Sequence, residues 1–592
     1  MAKRLLKRKE GTMPKRISSA PEKYAPFYSP PQFDEEARPV RGIASNGARW
    51  AVAPFVTSVE APVYSFRSHL LPPQLLGALF SRASRAKGDL REVFYKEYLA
   101  PILHPQDTDR EGQKIADELR EIISFHYAHA TPPYNTKRAY NFFAKWLAQY
   151  GDDSIAQMTS SNIVWAAASQ PALKFLEDQR IGISPIEKST RYVDYGAKVN
   201  GHYLYYTAPQ LTGGEIGDEY SRVMDKLFAA YRAYIPELIE LLQKDYPQEK
   251  HDVVEKKAFD VMRGLLPMAT VSQVAFHGNA QALQYMITRC AAHPRAELQW
   301  FAREARKALD EEIPAMLLRL DDAPAKRYQK ERIARKQRMA TVMRNEFGPR
   351  DYEEQLGMPV VRLVEYDPQG QEKVITALLF DEGNSRLSWD TLFQKVCSWN
   401  DAKKERALKA HLSGRQARWE KIGRAFENAF VRFEIVMNAG AYRDLHRHRM
   451  HTSQRQRFTT HLGYELPPEI ERYGFLSRVK RLMKEVENLF AKVEAVDTEI
   501  AQDAVTLSHL MRFYQYQNLR QFFWEGELRT ISQGRPDYRW IEQEKYRLLL
   551  PVYPLILKYM LIDMNEYDFA RRGVSERIQQ KEEDLKGKLG NG

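Results

Sequence analysis

Tyr442-Arg443-Asp444-Leu445-His446-Arg447-His448-Arg449-Met450-His451-Thr452-Ser453-Gln454-Arg455-Gln456 concentrates cations and imidazoles in one short stretch of the chain. Just upstream, Phe430 to Met437 reads as a strand, because Val431, Phe433 and Ile435 alternate with Arg432 and Glu434. Gly440 then opens a short helical pattern whose end delivers Arg447, His448 and Arg449. Guanidinium forks and imidazole N–H donors at this density suit a phosphate-bearing ligand at close range. Cations also suit a helix C-terminus. Taken alone, the stretch therefore leaves a solvated basic helix end open as the competing reading, and a partner stretch elsewhere has to decide.

Working outward, the same order of elements occurs twice. Gly463 to Ile470 after the basic stretch has a counterpart in Tyr206 to Leu211. An amphipathic helix with Val479, Leu482, Val486, Leu489 and Val493 matches one over Asp218–Lys244 that carries Val223, Leu227, Tyr231 and Leu238. Ala501 to Thr530 matches a block from Val253 to Ala291 that reads as helical. This is an internal duplication of an α+β domain, not a short-period solenoid. Val63 to Arg67 reads as a first strand, Asn162 to Ala168 as strand or helix, Gln170 to Leu176 as helix, and Ile181 to Tyr192 as an irregular polar loop. Val360 to Tyr366 and Lys373 to Phe380 read as a strand pair around Asp367-Pro368-Gln369-Gly370. The expected boundaries are a basic arm over 1–50, a first domain over 51–320, a charged helical connector over 321–357, a second domain over 358–570 and a charged tail over 571–592.

A chain of 592 residues exceeds what one core supports. The net charge of +12 points to anionic partners. Cys290 and Cys397 are the only cysteines, so neither a disulfide framework nor a cysteine zinc site is available, which fits a reducing cytoplasm. No apolar run reaches the length of a membrane helix. The first residues carry Lys3, Arg4, Lys7, Arg8, Lys9, Lys15 and Arg16 without the apolar core of a signal peptide. They read as a disordered arm and a candidate for nucleic-acid contact. His446, His448 and His451 form a poor metal set, because Arg447 and Arg449 stand between them. Trp165, Trp300 and Trp524 read as core or interface, and Cys290 as a packed thiol.

With these residues in view, both halves resemble the flavin-dependent thymidylate synthases, whose signature is RHRxxSxNExSxRY. Glu187-Lys188-Ser189-Thr190-Arg191-Tyr192 matches its ExSxRY end, and Asp178-Gln179-Arg180 stands where RHR is expected. The second half keeps Arg447-His448-Arg449 and then departs: Thr452, Gln454, Arg455 and Arg457 replace Ser, Asn, Glu and Ser, and Thr459-Thr460 replaces Arg-Tyr. Gly151-Asp152-Asp153-Ser154 resembles the family's GHxS turn. Arg424-Ala425-Phe426-Glu427-Asn428 resembles the SxxEH portion that follows it. Arg263-Gly264-Leu265-Leu266-Pro267 resembles the R-x-x-L-P nucleotide turn, where the second half has Gln502. Arg289, 26 residues beyond Arg263 (289 − 263), falls on the family's catalytic Arg, and Asn518 and Arg529 are spaced like its flavin-contacting Asn and catalytic Arg.

The resemblance implies an α+β fold of two tandem domains, each a small antiparallel sheet with a helical bundle. It implies FAD held by Arg447, His448, Arg449, Asn518, Arg180 and Ser154. dUMP would be held by Glu187, Ser189, Arg191, Arg263 and Arg289, with Arg289 and Arg529 catalytic. NAD(P)H and methylenetetrahydrofolate would be co-substrates in making dTMP. The family's tetramer implies a homodimer of this duplicated chain in a pseudo-tetrameric arrangement. Because each half lacks part of the signature, three functions stay open. They are a tandem thymidylate synthase with complementary half-motifs, a flavoprotein acting on another uracil-containing nucleotide, and a non-catalytic binder of nucleotides or nucleic acid.

Overall fold

The computed structural model describes residues 28–33, 47–106, 109–129, 136–149, 153–191, 193–347, 356–382 and 386–570, with a few more near the C-terminus. The basic arm over 1–16, Tyr192 and most of the 571–592 tail lie outside the described residues. Contacts divide the chain into two compact units. The first comprises residues up to 189 with 197–218 and 269–346; the second comprises 190–196, 219–268 and 347 onward.

Each unit holds a four-stranded antiparallel sheet, and the two have the same topology. In the first, β1 (Val63–Tyr64), β2 (Ser160–Ser169), β3 (Ile183–Glu187) and β4 (Val271–Asn279) are ordered β1-β2-β4-β3. In the second, β5 (Val360–Tyr366), β6 (Phe430–Asn438), β7 (His451–Arg455) and β8 (Leu510–Asn518) are ordered β5-β6-β8-β7. The central pairs register Val164 with Ala275 and Ile435 with Phe513. Every central strand ends on a polar residue that caps the next helix. Ser169 accepts from Ala172 N–H ahead of α1 (Gln170–Glu177), and Asn279 accepts from Ala282 N–H ahead of α4 (Ala280–Ala291). Asn438 accepts from Ala441 N–H ahead of α8 (Ala439–Leu445), and Asn518 accepts from Gln521 N–H ahead of α10 (Leu519–Arg529). A side-chain oxygen here satisfies an N–H that the helix cannot pair internally. The strand–cap–helix unit is thus written four times, and it is the structural form of the duplication.

Longer helices complete the units: α2 (Gly214–Asp245), α3 (His251–Met262), α5 (Ala296–Glu312), α9 (Leu476–Val496) and α11 (Pro536–Leu549). Within the second unit the α2 segment from Glu219 runs beside its repeat counterpart α9. Arg478 pairs with Glu237, Lys226 with Glu485, and the Tyr234 and Phe475 rings are 5.3 Å apart. The R-x-x-L-P turn also pairs with its counterpart, Pro267 opposite Thr506. A Cβ added at Gly264 would fall 2.2 Å from Ser508 Oγ, so a side chain there would push that hydroxyl aside.

Several sequence expectations are corrected. Lys373 to Phe380 belongs to a helix, α7 (Gly370–Phe380), not to a hairpin strand. β5 takes β6 as its partner, and the consecutive Val374, Ile375 and Thr376 are all buried on the helix. The helical reading of Val253–Ala291 hides β4, a central strand buried along nearly its whole length and so without polar alternation. The polar loop expected over Ile181–Tyr192 contains the edge strand β3. The first repeat is not one contiguous body, because its residues 190–196 and 219–268 belong to the unit of the second repeat. The connector is helical, α6 (Ala323–Phe347), and buries no residue. No helix among the described residues is long and apolar enough to cross a membrane.

Candidate functional site

The site grows from the end of α8. Arg443 and Asp444 lie on its last turn, and Arg447-His448-Arg449 follows directly. Asp444 is buried among guanidiniums. Burial alone would raise its pKa, but Arg447, Arg191, Arg529 and Arg443 together hold it below the ordinary carboxylate value. Each arginine is fixed from another direction. Arg191 makes a fork with Asp260 on α3, at 2.8 and 2.9 Å. Arg443 Nη1 donates to Thr190 Oγ1 at 3.3 Å. Arg529 Nε, at the end of α10, donates to His448 Nε2 at 2.8 Å. That bond makes Nε2 an acceptor, and the Gln521 amide nitrogen lies 3.2 Å from Nδ1 on the other side of the ring. Arg263 Nη2 donates to the Gly440 carbonyl at 2.8 Å. Tyr538 lies 5.9 Å beneath the Arg529 guanidinium.

Four guanidiniums thus face Asp444, one of them, Arg191, also paired with Asp260. Behind the group, Lys545 lies 3.0 Å from Glu542 and 3.4 Å from Glu525, all three fully buried. Burial opposes ionisation of Glu525, yet Lys545, with His448 and His451, holds its pKa well down; burial raises that of Glu542.

A cavity of about 250 Å³ lies beside the capping Asn518. It is lined by Met450, next to Arg449, and by Arg415, Arg418, Lys421, Arg520 and Trp524. Lys421 Nζ sits 3.3 Å over the Trp524 ring. Of the tryptophans read as core or interface, Trp165 and Trp300 are fully buried and Trp524 lines this cationic cavity. A cationic wall with an aromatic face fits an aromatic cofactor that carries phosphate. Arg447 and Arg449 are exposed and His448 is buried.

The remaining expected site residues lie in the first unit. Both oxygens of Glu187 are engaged inside the protein, one by Gln170 Nε2 and one by Lys174 Nζ, each at 3.0 Å. Ser189 donates its backbone N–H to Ser84 O. Arg180 is buried with φ 58°, and Ser154 is exposed in a short 3-10 turn. Arg289 donates to Phe175 O at 3.0 Å and stacks 4.4 Å over the Phe175 ring. Counted from the capping asparagines, the position equivalent to Arg529 is not Arg289 but Cys290 (529 − 518 = 11; 290 − 279 = 11). Burial pushes the Cys290 thiol up to about 12, so it is a packed, protonated group. Sequence reading passed over Arg443, Asp444, Asp260 and the wall of the Asn518 cavity. Only the adjacency of Arg443 and Asp444 to the Arg-His-Arg run carried any signal of them.

The fold is thus a duplicated α+β scaffold with an arginine group around Asp444 and, in the same unit, a cavity lined by Arg415, Arg418, Lys421 and Arg520. The chain belongs to the thymidylate synthase complementing protein family, which matches it twice, over residues 106–315 and 362–555. It is similar to the UPF0159 protein of Chlamydia pneumoniae, 31% identical over 530 residues that cover 87% of this chain and 94% of that protein. The UPF0159 protein of Chlamydia muridarum is 30% identical over 542 residues, covering 90% and 97%. That of Thermoplasma acidophilum is 27% identical over 541 residues, covering 85% and 98%.

Proposed function

We propose that the protein is a FAD-dependent thymidylate synthase that converts dUMP to dTMP with methylenetetrahydrofolate as one-carbon donor and NAD(P)H as reductant. One observation carries this reading: cations kept by different repeats, Arg191 from the first and Arg443, Arg447 and Arg529 from the second, meet around Asp444. Arg191, Arg263 and Arg443 are the forks for the nucleotide phosphate. Arg529, oriented by His448, is the cation placed for negative charge developing on the pyrimidine. Arg447, His448, Arg449 and Asn518, with Lys421 and Trp524, would hold the flavin. When bound, the flavin supplies hydride chemistry that no side chain here provides.

Under this reading half of the family-type sites are lost, because Cys290, Thr459 and Gln502 stand where the other combination needs Arg. Two chains supply four repeats, so the proposed assembly is a homodimer of 137.8 kDa (2 × 68.9), checked by mass photometry. Flavin absorbance and dUMP calorimetry on the full chain test the reading. One FAD and one dUMP per chain support it; two of each, or neither, overturn it. Asp444 in the middle of the arginine group favours a second reading, a nucleotide binder without turnover. Thymidine-independent growth of a synthase-deficient host separates the two.

A further inference from the structure

The two repeats bury different chemistry at equivalent places. Counted from the capping asparagines, Gln515 and Glu525 stand where the first repeat has Phe276 and Met286 (518 − 3 and 518 + 7; 279 − 3 and 279 + 7). Arg535 and Arg295 each immediately precede equivalent helices, α11 and α5. Counted from them, Glu542 and Lys545 stand where the first repeat has Ala302 and Ala305 (535 + 7 and 535 + 10; 295 + 7 and 295 + 10). All eight residues are at most 3% exposed, so equivalent interiors are apolar in one copy and charged in the other. The charged copy is bonded throughout. Lys545 Nζ donates to Gln515 Oε1 at 2.9 Å and to Glu542 Oε1 at 3.0 Å, and lies 3.4 Å from Glu525 Oε2. Gln515 Nε2 donates to Glu525 Oε1 at 3.0 Å.

Stability alone does not call for these charges. Packed hydrophobic residues in place of a buried ionic group are commonly neutral or stabilising, and the first repeat carries such a filling in this fold. The surroundings of the network point to its use. His448 and His451 act on Glu525, and the groups that act on Glu542 are Lys545 on its own helix and Glu525 and Arg529 on α10. One cation stands between two carboxylates, and Glu542 Oε2 is buried without a hydrogen-bond partner among the described residues. Lys545 therefore balances one carboxylate, Glu525, and the other holds a proton. Burial accordingly pushes the Glu542 carboxyl up to about 8, while Lys545 overrides burial at Glu525. We infer that this network is a proton-operated positioning device for the arginine group: it fixes the charge behind His448 and Arg529, and loss of the Glu542 proton puts an unbalanced negative charge there that weakens the pull of Arg529 on an anionic ligand. The inference rests on the reading of Arg529 as a ligand-facing cation.

Titration calorimetry with dUMP and thermal melting, both on the full chain, test this. A variant with Gln515→Phe, Glu525→Met, Glu542→Ala and Lys545→Ala gives the second repeat the filling of the first. It melts no lower than the wild type and binds dUMP at least about tenfold more weakly. Glu542→Gln keeps the acceptor for Lys545 and has the charge of the protonated acid. It binds dUMP within about twofold of the wild type at pH 7. As pH rises through about 8 the wild type loses affinity and Glu542→Gln does not. Melting without ligand reads the proton separately. A carboxyl raised from 4.5 to about 8 gives stability that is full below 4.5 and lost as pH rises to about 8, so over that window the wild type falls relative to Glu542→Gln. If the wild type binds no dUMP, the proposed function fails, and the melting curves still decide the network: parallel curves overturn the inference. Full dUMP affinity in the folded four-residue variant, or wild-type affinity that runs parallel to that of Glu542→Gln through pH 8, overturns it as well. Glu542→Gln decides alone where the four-residue variant does not fold.

Discussion

Replacing Asp444 by Asn tests the arginine group directly. The substitution keeps the shape and removes the buried charge that faces Arg447, Arg191, Arg529 and Arg443. Removing one partner of a buried ionic group costs about 3–5 kcal/mol, because what remains is uncompensated. At roughly 2–4 °C per kcal/mol for domains of this size, melting falls by about 10 °C in phosphate-free buffer. Phosphate or dUMP then stabilises the variant more than the wild type, a ligand at a hundred times its Kd contributing about 2.7 kcal/mol. The pH dependence has a fixed sign. The folded-state pKa of Asp444 is depressed, so its contribution is present above the unfolded value near 3.8 and is lost as pH falls through the folded one. The gap between variant and wild type is therefore full at pH 7 and closes in acid. Differential scanning calorimetry across pH and phosphate concentration reads both effects. A variant that melts with the wild type and gains nothing extra from phosphate refutes the arrangement.

Three further outcomes follow from the same structure. Arg447→Ala weakens flavin retention ten- to hundredfold, equivalent to ~1.5–3 kcal/mol for one charge-assisted bond, and a desalting column followed by absorbance shows it. Arg191→Ala weakens dUMP binding about tenfold or more in calorimetry, while Arg289→Ala, whose guanidinium packs on Phe175, leaves it within about twofold; equal effects of the two would count against the assignment. His509 is fully buried, and burial lowers its pKa to about 3. A depressed imidazole gives stability that is present above about pH 6.5 and lost as pH falls toward 3, on the order of 5 kcal/mol. His509→Asn, which keeps an acceptor for Thr506 Oγ1, should flatten that acid limb in urea titrations.

What the sequence made legible was whatever leaves a periodic or local trace. β6 alternates and was read to within a residue, because one of its faces is wetter than the other. The duplication was visible as a repeated order of elements, and the Arg-His-Arg run as a local density of charge. β4 was lost because a strand buried on both faces carries no alternation. Arg289 stands 26 residues beyond Arg263 (289 − 263), but Arg529 stands 27 beyond the equivalent Gln502 (529 − 502), so the two positions do not correspond. Counting from the capping Asn279 moves the position to Cys290, and a one-residue slip on a helix turns a side chain by about 100°. The pairing of Arg191 with Asp260, and its meeting with Asp444, depends on contacts between segments far apart in sequence, which no local pattern encodes.

The divergence of the two repeats has a direction. Five, six and nine residues after their caps, the first repeat has Lys174, Phe175 and Asp178 where the second has Arg443, Asp444 and Arg447. Lys174 is neutralised by Glu177 and Glu187, and Asp178 reverses the charge of Arg447. With Cys290 in place of Arg529, this end of the first repeat has become an interior network with no excess of positive charge. The second repeat has given up the complementary part. Gln502, where Arg263 would be, accepts from Phe458 N–H and holds its own loop, and Thr459 stands for Arg191. In an oligomer of identical chains a substitution enters every site at once, so such losses could not be separated. Duplication within one chain lets each copy lose a different half. Since Arg191 and Arg263 fold into the same unit as Arg443, Arg447 and Arg529, the cations that survive are those that assemble with one another.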